Sequence, residues 1–233
     1  MRFCILTLCL LTTSVFALPK GFVYLADLDP TIIQDLRYHT KNNFIGRPIK
    51  GYQSNRCILT KRAAIGLVKV QKQLKKHKQS LIVYDCYRPQ QAVNDFYHWS
   101  INKNSLMKKI FYPRELKKYL FSRGYIAKFS GHSRGSTVDL SIYNNDEYKP
   151  NLSGCYKIAR SLENSIDMGT NFDCLDPKSA IYETAIPAQA KNNRKQLRKL
   201  MKKYGFKPYK KEWWHFTYSN ETFPKSYFNF KVK

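Results

Sequence analysis

Two short stretches of the chain combine histidine with carboxylate residues in a pattern that suits metal chemistry. The first runs from Ser130 through His132 to Asp139, and the second from Glu212 to His215. A catalytic zinc ion usually has three protein ligands, mainly histidine with aspartate or glutamate, and leaves a fourth position for water. We predict that His132, Asp139 and His215 bind one zinc ion per chain. Glu212 is then available to take a proton from the water and pass it to a leaving group, which is the chemistry of a hydrolase.

The spacing of these residues also permits plainer interpretations. A histidine between glycine and serine, such as His132, is most often an ordinary loop residue, because short motifs match by chance. Gly135 favours a tight turn, and residues 137–142 are typical of a strand. In an ideal strand, residues three apart point to opposite faces, so Glu212 and His215 could not face one ion. We therefore expect Glu212 to lie in the loop before the strand or at a β-bulge.

Apolar periodicity and turn residues predict the helices that must position these side chains. Four helical segments are predicted, in chain order: 60–78; a helix opened by Pro89; 106–123, interrupted by Pro113 and closed by Gly124; and 192–204, stopped by Gly205.

Strands are predicted where buried or aromatic runs are bounded by turn residues. These runs cover 80–86 and 212–218, beside the strand already placed at 137–142. Residues 18–56 are expected to contain loops and short strands, and 144–161 an exposed polar insertion. Helices mixed with strands without strict alternation favour an α+β fold. We predict a central, mainly antiparallel sheet flanked by helices, with the zinc site on the sheet.

The beginning of the chain has the features of an export signal. Its first seventeen residues contain one basic residue, an apolar stretch and small residues before a cleavage position after Ala17. This stretch is typical of a secretory signal peptide and too short to span a membrane, and no later stretch is apolar enough to do so. We predict export to the periplasm or the medium, with residues 18–233 forming a single domain.

Four cysteines follow the predicted cleavage position, at Cys57, Cys86, Cys155 and Cys174. In an oxidising compartment they permit two disulfides in three connectivities. Neighbourhood in the sequence favours Cys57 with Cys86 and Cys155 with Cys174. A structural zinc site made of all four is the alternative, but they lack the paired spacing of such sites.

The formal net charge of +25 at pH 7 is the most unusual bulk property of the chain. Its basic residues are dispersed in pairs and short runs, several of them where a helix would present its solvated side. An exported protein meets anionic envelope polymers far more often than nucleic acid. We expect attraction to such polymers and no specific nucleic-acid partner.

A family resemblance covers nearly all of the chain after residue 17. It is carried by six stretches in the same order: Asp35 to Tyr38; Asn43-Phe44 with Gly51-Tyr52; Asp85 to Pro89; Ser130 to Gly135 with Asp139-Leu140; Asp167 to Asp173; and Glu212 to Phe216. With these motifs the chain resembles the D-alanyl-D-alanine dipeptidases of the VanX type, within the wider family of zinc D,D-peptidases. It differs in its longer insertion, which contains Cys155, and in its predicted export, since the resistance enzymes work in the cytoplasm.

The resemblance repeats the three ligands and the general base reached above, and it implies four further site residues. Arg88 would lie beside the scissile carbonyl and stabilise negative charge on its oxygen. Ser130 would contact the substrate carboxylate, Asp173 would hold the free amino group, and Tyr38 would form part of the pocket wall. Without the resemblance, Arg88 would be a surface ion-pair partner, Asp173 a turn residue and Tyr38 a core residue.

The function implied is zinc-dependent hydrolysis of D-Ala-D-Ala, a small substrate that an exported enzyme would scavenge from the cell wall. One alternative is a wall D,D-carboxypeptidase or endopeptidase of the same zinc family, which a closed amine pocket at Asp173 argues against. The other is a non-catalytic zinc-containing binding module, similar to hedgehog-type domains. Glu212 and Arg88 favour an enzyme over that module. The sequence does not determine an oligomeric state.

Overall fold

A computed structural model describes residues 17–144, 154–156 and 165–233. The predicted signal peptide lies outside the described residues except for Ala17, and so does most of the predicted insertion at 144–161. Within the described part of the chain, no helix combines the length and the apolar character that crossing a membrane requires.

The described residues form two sheets. A five-stranded sheet has the order β2-β4-β5-β7-β6, and β1 pairs with β3 in a separate two-stranded sheet. Only β2 and β4 run parallel among these pairs; every other pair is antiparallel. The strands are β1 Phe22–Tyr24, β2 Ile33–Gln34, β3 Ile58–Thr60, β4 Gln79–Asp85, β5 Thr137–Asn144, β6 Phe206–Pro208 and β7 His215–Tyr218.

Within the described part of the chain, five α-helices accompany the strands, and the predicted α+β fold with a mainly antiparallel sheet is confirmed. They are α1 Leu25–Leu28, α2 Lys61–Lys75, α3 Gln90–Ile101, α4 Lys108–Phe111 and α5 Ala188–Lys203. The chain enters α3 and α5 through Pro89 and Pro187, whose fixed φ suits the start of a helix. Pro187 explains why α5 begins at Ala188 and not at the predicted residue 192.

The two faces of the five-stranded sheet bury different side chains. Val138, Leu140 and Ile142 of β5 belong to one apolar core, together with Leu67 of α2 and Leu197 of α5. Side chains alternate between faces along a strand, so the intervening residues of β5 point to the other side. A second, aromatic core lies with α3 and includes Tyr38, Phe96 and Trp99. The polar side chains of β5 that alternate with this apolar row, including Asp139, therefore point away from α2 and α5.

The predicted helix over 106–123 is wrong. The structure has only the four residues of α4 and a 3-10 turn at Lys117–Tyr119 in this segment. Pro113 cannot continue a helix and disfavours helical geometry at the residue before it. In addition, Leu106 and Leu116 are 84% and 51% exposed, so the segment offers no continuous buried stripe that would stabilise a longer helix.

Both disulfides pair neighbours in the sequence, as predicted. Cys57 is bonded to Cys86, and Cys155 to Cys174. The four-cysteine zinc site is excluded, because all four sulfurs are taken up in these bonds. The first bond joins β3 to the end of β4, and the second joins two loops.

Removing the Cys57–Cys86 bond will destabilise the fold. The bond closes a loop with a sequence separation of 29 residues, and chain-entropy estimates for loops of that length give about 3–4 kcal/mol. We expect the double variant Cys57→Ala, Cys86→Ala to lose about that much free energy of unfolding in urea titrations. The Cys155–Cys174 bond stays in place as an internal control. A loss below about 1 kcal/mol would contradict the prediction.

Candidate active site

Strand register places three polar side chains in a row across the sheet. Asp85 of β4 pairs with Asp139 of β5, and Asp139 pairs with His215 of β7. Residues that are directly opposite in antiparallel strands point to the same face. The row therefore lies on the side of the sheet away from α2 and α5, at the point where β4 ends and β7 begins.

A 3-10 turn at Gly131–Arg134 brings His132 to this row. The hydroxyl of Ser130 accepts a hydrogen bond from the backbone N–H of His132 at 3.3 Å, and Gly135 ends the turn with φ of 78°. A Cβ at Gly135 would lie 2.2 Å from Cε1 of Phe22, so both the left-handed backbone and the close packing require glycine. The tight turn predicted at this position is confirmed.

The donor atoms of His132, Asp139 and His215 converge as a zinc ion requires. Nε2 of His132 lies 3.3 Å from both Nδ1 of His215 and Oδ2 of Asp139. Nδ1 of His215 lies 3.1 Å from Oδ1 of Asp139. Ligands at about 2.0–2.1 Å from a tetrahedral zinc ion are about 3.3–3.4 Å apart, which the distance between the two imidazole nitrogens matches. One donor atom from each of the three residues lies within 4.8 Å of the other two, so the cluster could hold one ion. Oδ1 of Asp139 is buried and accepts no hydrogen bond from any described residue, which leaves it available to a metal.

Hydrogen bonding and burial favour the protonation states that a metal needs. Nδ1 of His132 lies 2.7 Å from the carbonyl oxygen of Cys86, which orients the ring so that Nε2 presents its lone pair. Burial alone would raise the pKa of Asp139, but the two imidazoles hold it well below its ordinary value. Burial lowers the pKa of His215, against the opposing effect of Asp139. The lowered pKa values of Asp139 and His215 both favour the forms that bind a metal, a carboxylate and a neutral imidazole.

Glu212 lies in the turn before β7 and not within the strand. This position removes the conflict with strand periodicity, and Oε2 of Glu212 lies 3.5 Å from Nδ1 of His215. The turn is anchored by Trp213, whose indole N–H donates to Oγ1 of Thr170 at 2.9 Å. Burial, followed by the charges of Asp139 and Asp173, raises the pKa of Glu212 well above its ordinary value. A carboxyl group of raised pKa beside the donor cluster is suited to taking up and releasing a proton.

Arg88 is buried in this site, so the surface ion pair considered for it is wrong. Its Nε donates to Oδ2 of Asp85 at 2.9 Å, and its Nη2 lies 3.6 Å from Oδ2 of Asp139. Asp85 also accepts a hydrogen bond of 2.6 Å from the hydroxyl of Tyr52. The sequence analysis assigned no role to Asp85 or Tyr52. The spacing of three residues between Asp85 and Arg88 was a signal that these two side chains could form an ion pair.

Tyr38 and Asp173 meet across the pocket from the metal donors. The hydroxyl of Tyr38 donates to the carboxylate of Asp173, at 3.0 Å to Oδ2 and 3.2 Å to Oδ1. Asp173 has a φ of 57°, a left-handed conformation that is uncommon outside glycine, and it is followed directly by the disulfide at Cys174. Burial and the charge of Asp139 raise the pKa of Asp173 well above its ordinary value. A buried carboxyl of this kind would be stabilised by a cationic ligand.

The predicted site residues come together around one cavity of about 210 Å³. Seven of the eight predicted residues line this cavity: Tyr38, Arg88, Ser130, Asp139, Asp173, Glu212 and His215. The eighth, His132, contacts the metal donors of the cavity through its Nε2 atom. This volume is below the roughly 300–1,000 Å³ of pockets for drug-sized ligands, so the cavity suits a smaller molecule.

Apart from Tyr38, sequence reasoning missed the aromatic part of the pocket wall. Phe44, Tyr125 and Tyr209 line the same cavity, and the Tyr209 ring lies 5.4 Å from the ring of His215. The hydroxyl of Tyr209 donates to the carbonyl of Gly124 at 2.6 Å, which fixes the ring against a neighbouring loop. Tyr125 and Tyr209 come from separate loops, and no local motif marks them.

Comparison with known proteins agrees with the motifs. A family model described as D-Ala-D-Ala dipeptidase, of peptidase family M15, matches residues 19–233. A D-alanyl-D-alanine dipeptidase of Enterococcus faecium is 35% identical over 91% of this chain and 98% of the relative. The corresponding protein of Streptomyces coelicolor is 34% identical over the same shares of the two chains, and that of Escherichia coli is 30% identical over 83% and 82%.

A solved structure of a mutant of the vancomycin-resistance D,D-pentapeptidase VanY, in complex with Zn(II), also matches. The match covers 72% of this chain and 77% of the VanY chain. Its TM-score of 0.36 and 12% identity are too low to bear on fold or function. The match along nearly the whole chain, and three relatives at or above 30% identity, decide the family. The resemblance seen in the motifs is confirmed: the chain is a peptidase and belongs to the D-Ala-D-Ala dipeptidase family of M15 peptidases.

Proposed function

We propose that the protein is a zinc dipeptidase that hydrolyses D-Ala-D-Ala to two molecules of D-alanine. The observation that carries the proposal is that metal donors, a buried glutamate, a buried arginine and a second buried carboxylate line one small cavity. The relatives that match along nearly the whole chain bear the name D-alanyl-D-alanine dipeptidase, which supports this substrate.

His132, Asp139 and His215 would hold the zinc ion. When bound, zinc polarises a carbonyl oxygen and lowers the pKa of a water molecule to near neutrality. Glu212 would take the proton of the attacking water on Oε2 and would deliver it to the leaving amine. Its burial supports this role, because a carboxyl of raised pKa holds a proton more readily than an exposed one.

Arg88 would stabilise the negative charge that develops on the carbonyl oxygen. Its guanidinium is fixed before substrate arrives, by Asp85 on one side and by packing near the rings of Tyr38 and Phe96, whose centroids lie 5.1 and 5.2 Å away. A preorganised cation in a water-poor site stabilises a transition state without the cost of reorientation.

Asp173 and Ser130 would bind the two charged ends of the dipeptide. The Asp173 carboxylate, with the Tyr38 hydroxyl beside it, offers two acceptor oxygens to an ammonium group. Ser130 lines the same cavity as Asp173, and its hydroxyl would contact the substrate carboxylate. A buried carboxylate on the amino side would pair with a free ammonium group and not with the uncharged amide of a longer chain, which favours a dipeptidase over a wall carboxypeptidase or endopeptidase. The fixed positions of Glu212 and Arg88 favour an enzyme over a binding module.

Export is part of the same proposal. Cleavage after Ala17 would deliver the chain to the periplasm or the medium. The two disulfides support an oxidising compartment, because such bonds are rare in the reducing cytosol.

The proposed reaction is tested by incubating the purified protein with D-Ala-D-Ala, L-Ala-L-Ala and a wall pentapeptide. We expect release of D-alanine from the first substrate alone, and its loss after a chelator and recovery with added zinc. Equal or faster cleavage of the pentapeptide would replace the dipeptidase with a carboxypeptidase. Absence of turnover by zinc-loaded protein on all three substrates would refute both.

Changing Glu212 to Gln will remove turnover without removing the metal. The amide keeps the size of the side chain but cannot carry the proton, and general acid–base catalysis typically contributes about 10²–10⁴-fold. We expect kcat to fall by that range while the zinc content, measured by elemental analysis, equals that of the wild type. A variant with wild-type turnover would remove Glu212 from the mechanism.

Changing His132 or His215 to Ala will lower zinc affinity. Loss of even an outer partner of a zinc ligand typically costs about 10–100-fold, so loss of a ligand should exceed about 100-fold. The measurement is competition with a fluorescent zinc chelator. His98 is exposed and is not part of the donor cluster, so His98→Ala is the matched control and should bind zinc as the wild type does. If His132→Ala and His215→Ala bind zinc as tightly as His98→Ala, neither His132 nor His215 is a zinc ligand.

Changing Asp173 to Asn will weaken recognition of the free amino group. Hydrogen bonds to charged groups contribute about 1.5–3 kcal/mol, which corresponds to about 10–100-fold in kcat/KM. We expect that loss for D-Ala-D-Ala. We also expect a smaller ratio between the free dipeptide and its N-acetylated form than in the wild type. If the variant keeps the wild-type ratio, Asp173 does not bind the amine.

A further inference from the structure

The two long helices on the far side of the sheet carry an unbalanced positive charge. Helix α2 contains five basic residues and α5 contains seven, and neither contains an acidic residue. Arg194 and Arg198 of α5 serve the fold, since they donate hydrogen bonds to backbone carbonyls. The lysines of both helices take part in no ion pair among the described residues.

Helix stability explains only part of this charge. The last turn of each helix is basic, for example at Lys202 and Lys203 of α5, and cations there favour the helix macrodipole. The first turns are basic as well, and cations at a helix N-terminus oppose the macrodipole. Along α5, Lys191, Lys195 and Lys199 are four residues apart, a spacing at which like charges repel each other. The lysines along the length of α5 therefore have no explanation within the helix.

A groove runs between the C-terminal parts of α2 and α5. It has a volume of about 250 Å³, and Gln73, Leu74 and His77 line it from α2. Gln196, Lys199, Leu200 and Lys203 line it from α5. By helical spacing, four further exposed lysines lie one turn from these positions. The basic face is defined as the six lysines Lys69, Lys76, Lys195, Lys199, Lys202 and Lys203, all of them exposed.

We propose that this basic face binds a linear, phosphate-bearing polyanion laid along the groove between α2 and α5. Lysines on both rims would each meet a phosphate as the chain follows the helices, where successive turns are about 5.4 Å apart. The aliphatic stems of the lysines and the leucines at the groove floor would contact the less polar parts of the polymer.

The composition of the face favours a phosphate polymer without bases over a membrane or a nucleic acid. A helix that binds a bilayer exposes a row of aromatic or leucine side chains beside its lysines. Of the two leucines that line this groove, Leu74 is buried and Leu200 is only half-buried, and Leu67, Leu197 and Met201 are buried in the core. Single-stranded nucleic acids are held largely by stacking on aromatic rings, and no phenylalanine, tyrosine or tryptophan lines this groove.

The basic face lies on the opposite side of the sheet from the active site. The apolar residues of β5 that face α2 and α5 alternate with Asp139, which points to the catalytic cavity. A polymer bound on one side therefore leaves the cavity open on the other, and binding would hold the enzyme at an anionic matrix without inhibiting it.

The test compares two triple variants with equal net charge. The first neutralises three lysines at the groove, as Lys76→Gln, Lys199→Gln and Lys203→Gln. The control neutralises three exposed lysines that lie outside α2 and α5, as Lys103→Gln, Lys225→Gln and Lys231→Gln. Binding of medium-chain inorganic polyphosphate is measured by titration calorimetry over a range of salt concentrations, and D-Ala-D-Ala hydrolysis is measured for each zinc-loaded protein.

For the groove variant we expect affinity for polyphosphate at least about tenfold below that of the wild type, and a plot of log K against log salt that is shallower by about 2. The control should stay within about twofold of the wild type, and both variants should keep wild-type hydrolysis. Equal losses in the two variants would overturn the proposal, because net charge alone would then explain binding. Tighter binding of the wild type to phosphatidylglycerol vesicles or duplex DNA than to polyphosphate would also overturn it.

Discussion

The register of β5 between β4 and β7 is the constraint on which the active site depends. Val138, Leu140 and Ile142 are fully buried on one face, and Asp139 lies between them on the other. A slip of one residue would move three apolar side chains to the polar face of the sheet and would turn the carboxylate into the apolar core. Hydrophobic alternation thus fixes the position of the central metal donor, and through strand pairing it fixes Asp85 and His215 as well.

The charges gathered around Asp139 explain why this cavity needs cations. Asp85, Asp139, Asp173 and Glu212 contribute four carboxyl groups, and Arg88 contributes the one guanidinium among these five buried side chains. Uncompensated buried carboxylates are costly, and the raised pKa values of Asp173 and Glu212 are the physical response. A divalent metal at the donor cluster and an ammonium group at Asp173 would supply the missing positive charge. A bound metal ion and a bound ammonium group would therefore both compensate the same excess of buried negative charge.

What the sequence could predict depended on whether the signal was local. Helix α2 and the strands β4 and β5 follow from periodicity that spans less than twenty residues, and the structure confirms them. Tyr52 reaches Asp85 across 33 residues, and Tyr38 reaches Asp173 across 135, so neither contact has a local pattern. Tyr38 and Asp173 could be assigned to the site only from the family motifs, because hydrophobic periodicity gives no information about a contact between them. The helix expected over 106–123 failed for the opposite reason, because its local pattern was not supported by burial.

The disulfides connect the chemistry of the site to the surroundings of the protein. Cys86 follows Asp85 directly, and its carbonyl oxygen lies 2.7 Å from Nδ1 of His132, while Cys174 follows Asp173. One bond therefore restrains the strand end that presents Arg88 and the carbonyl oxygen that orients His132, and the other restrains the loop that presents Asp173. Such bonds form and persist in oxidising compartments and are rare in the cytosol. The proposed export would therefore preserve the geometry of the cavity, and it would also bring the basic face, on the other side of the sheet, to anionic polymers.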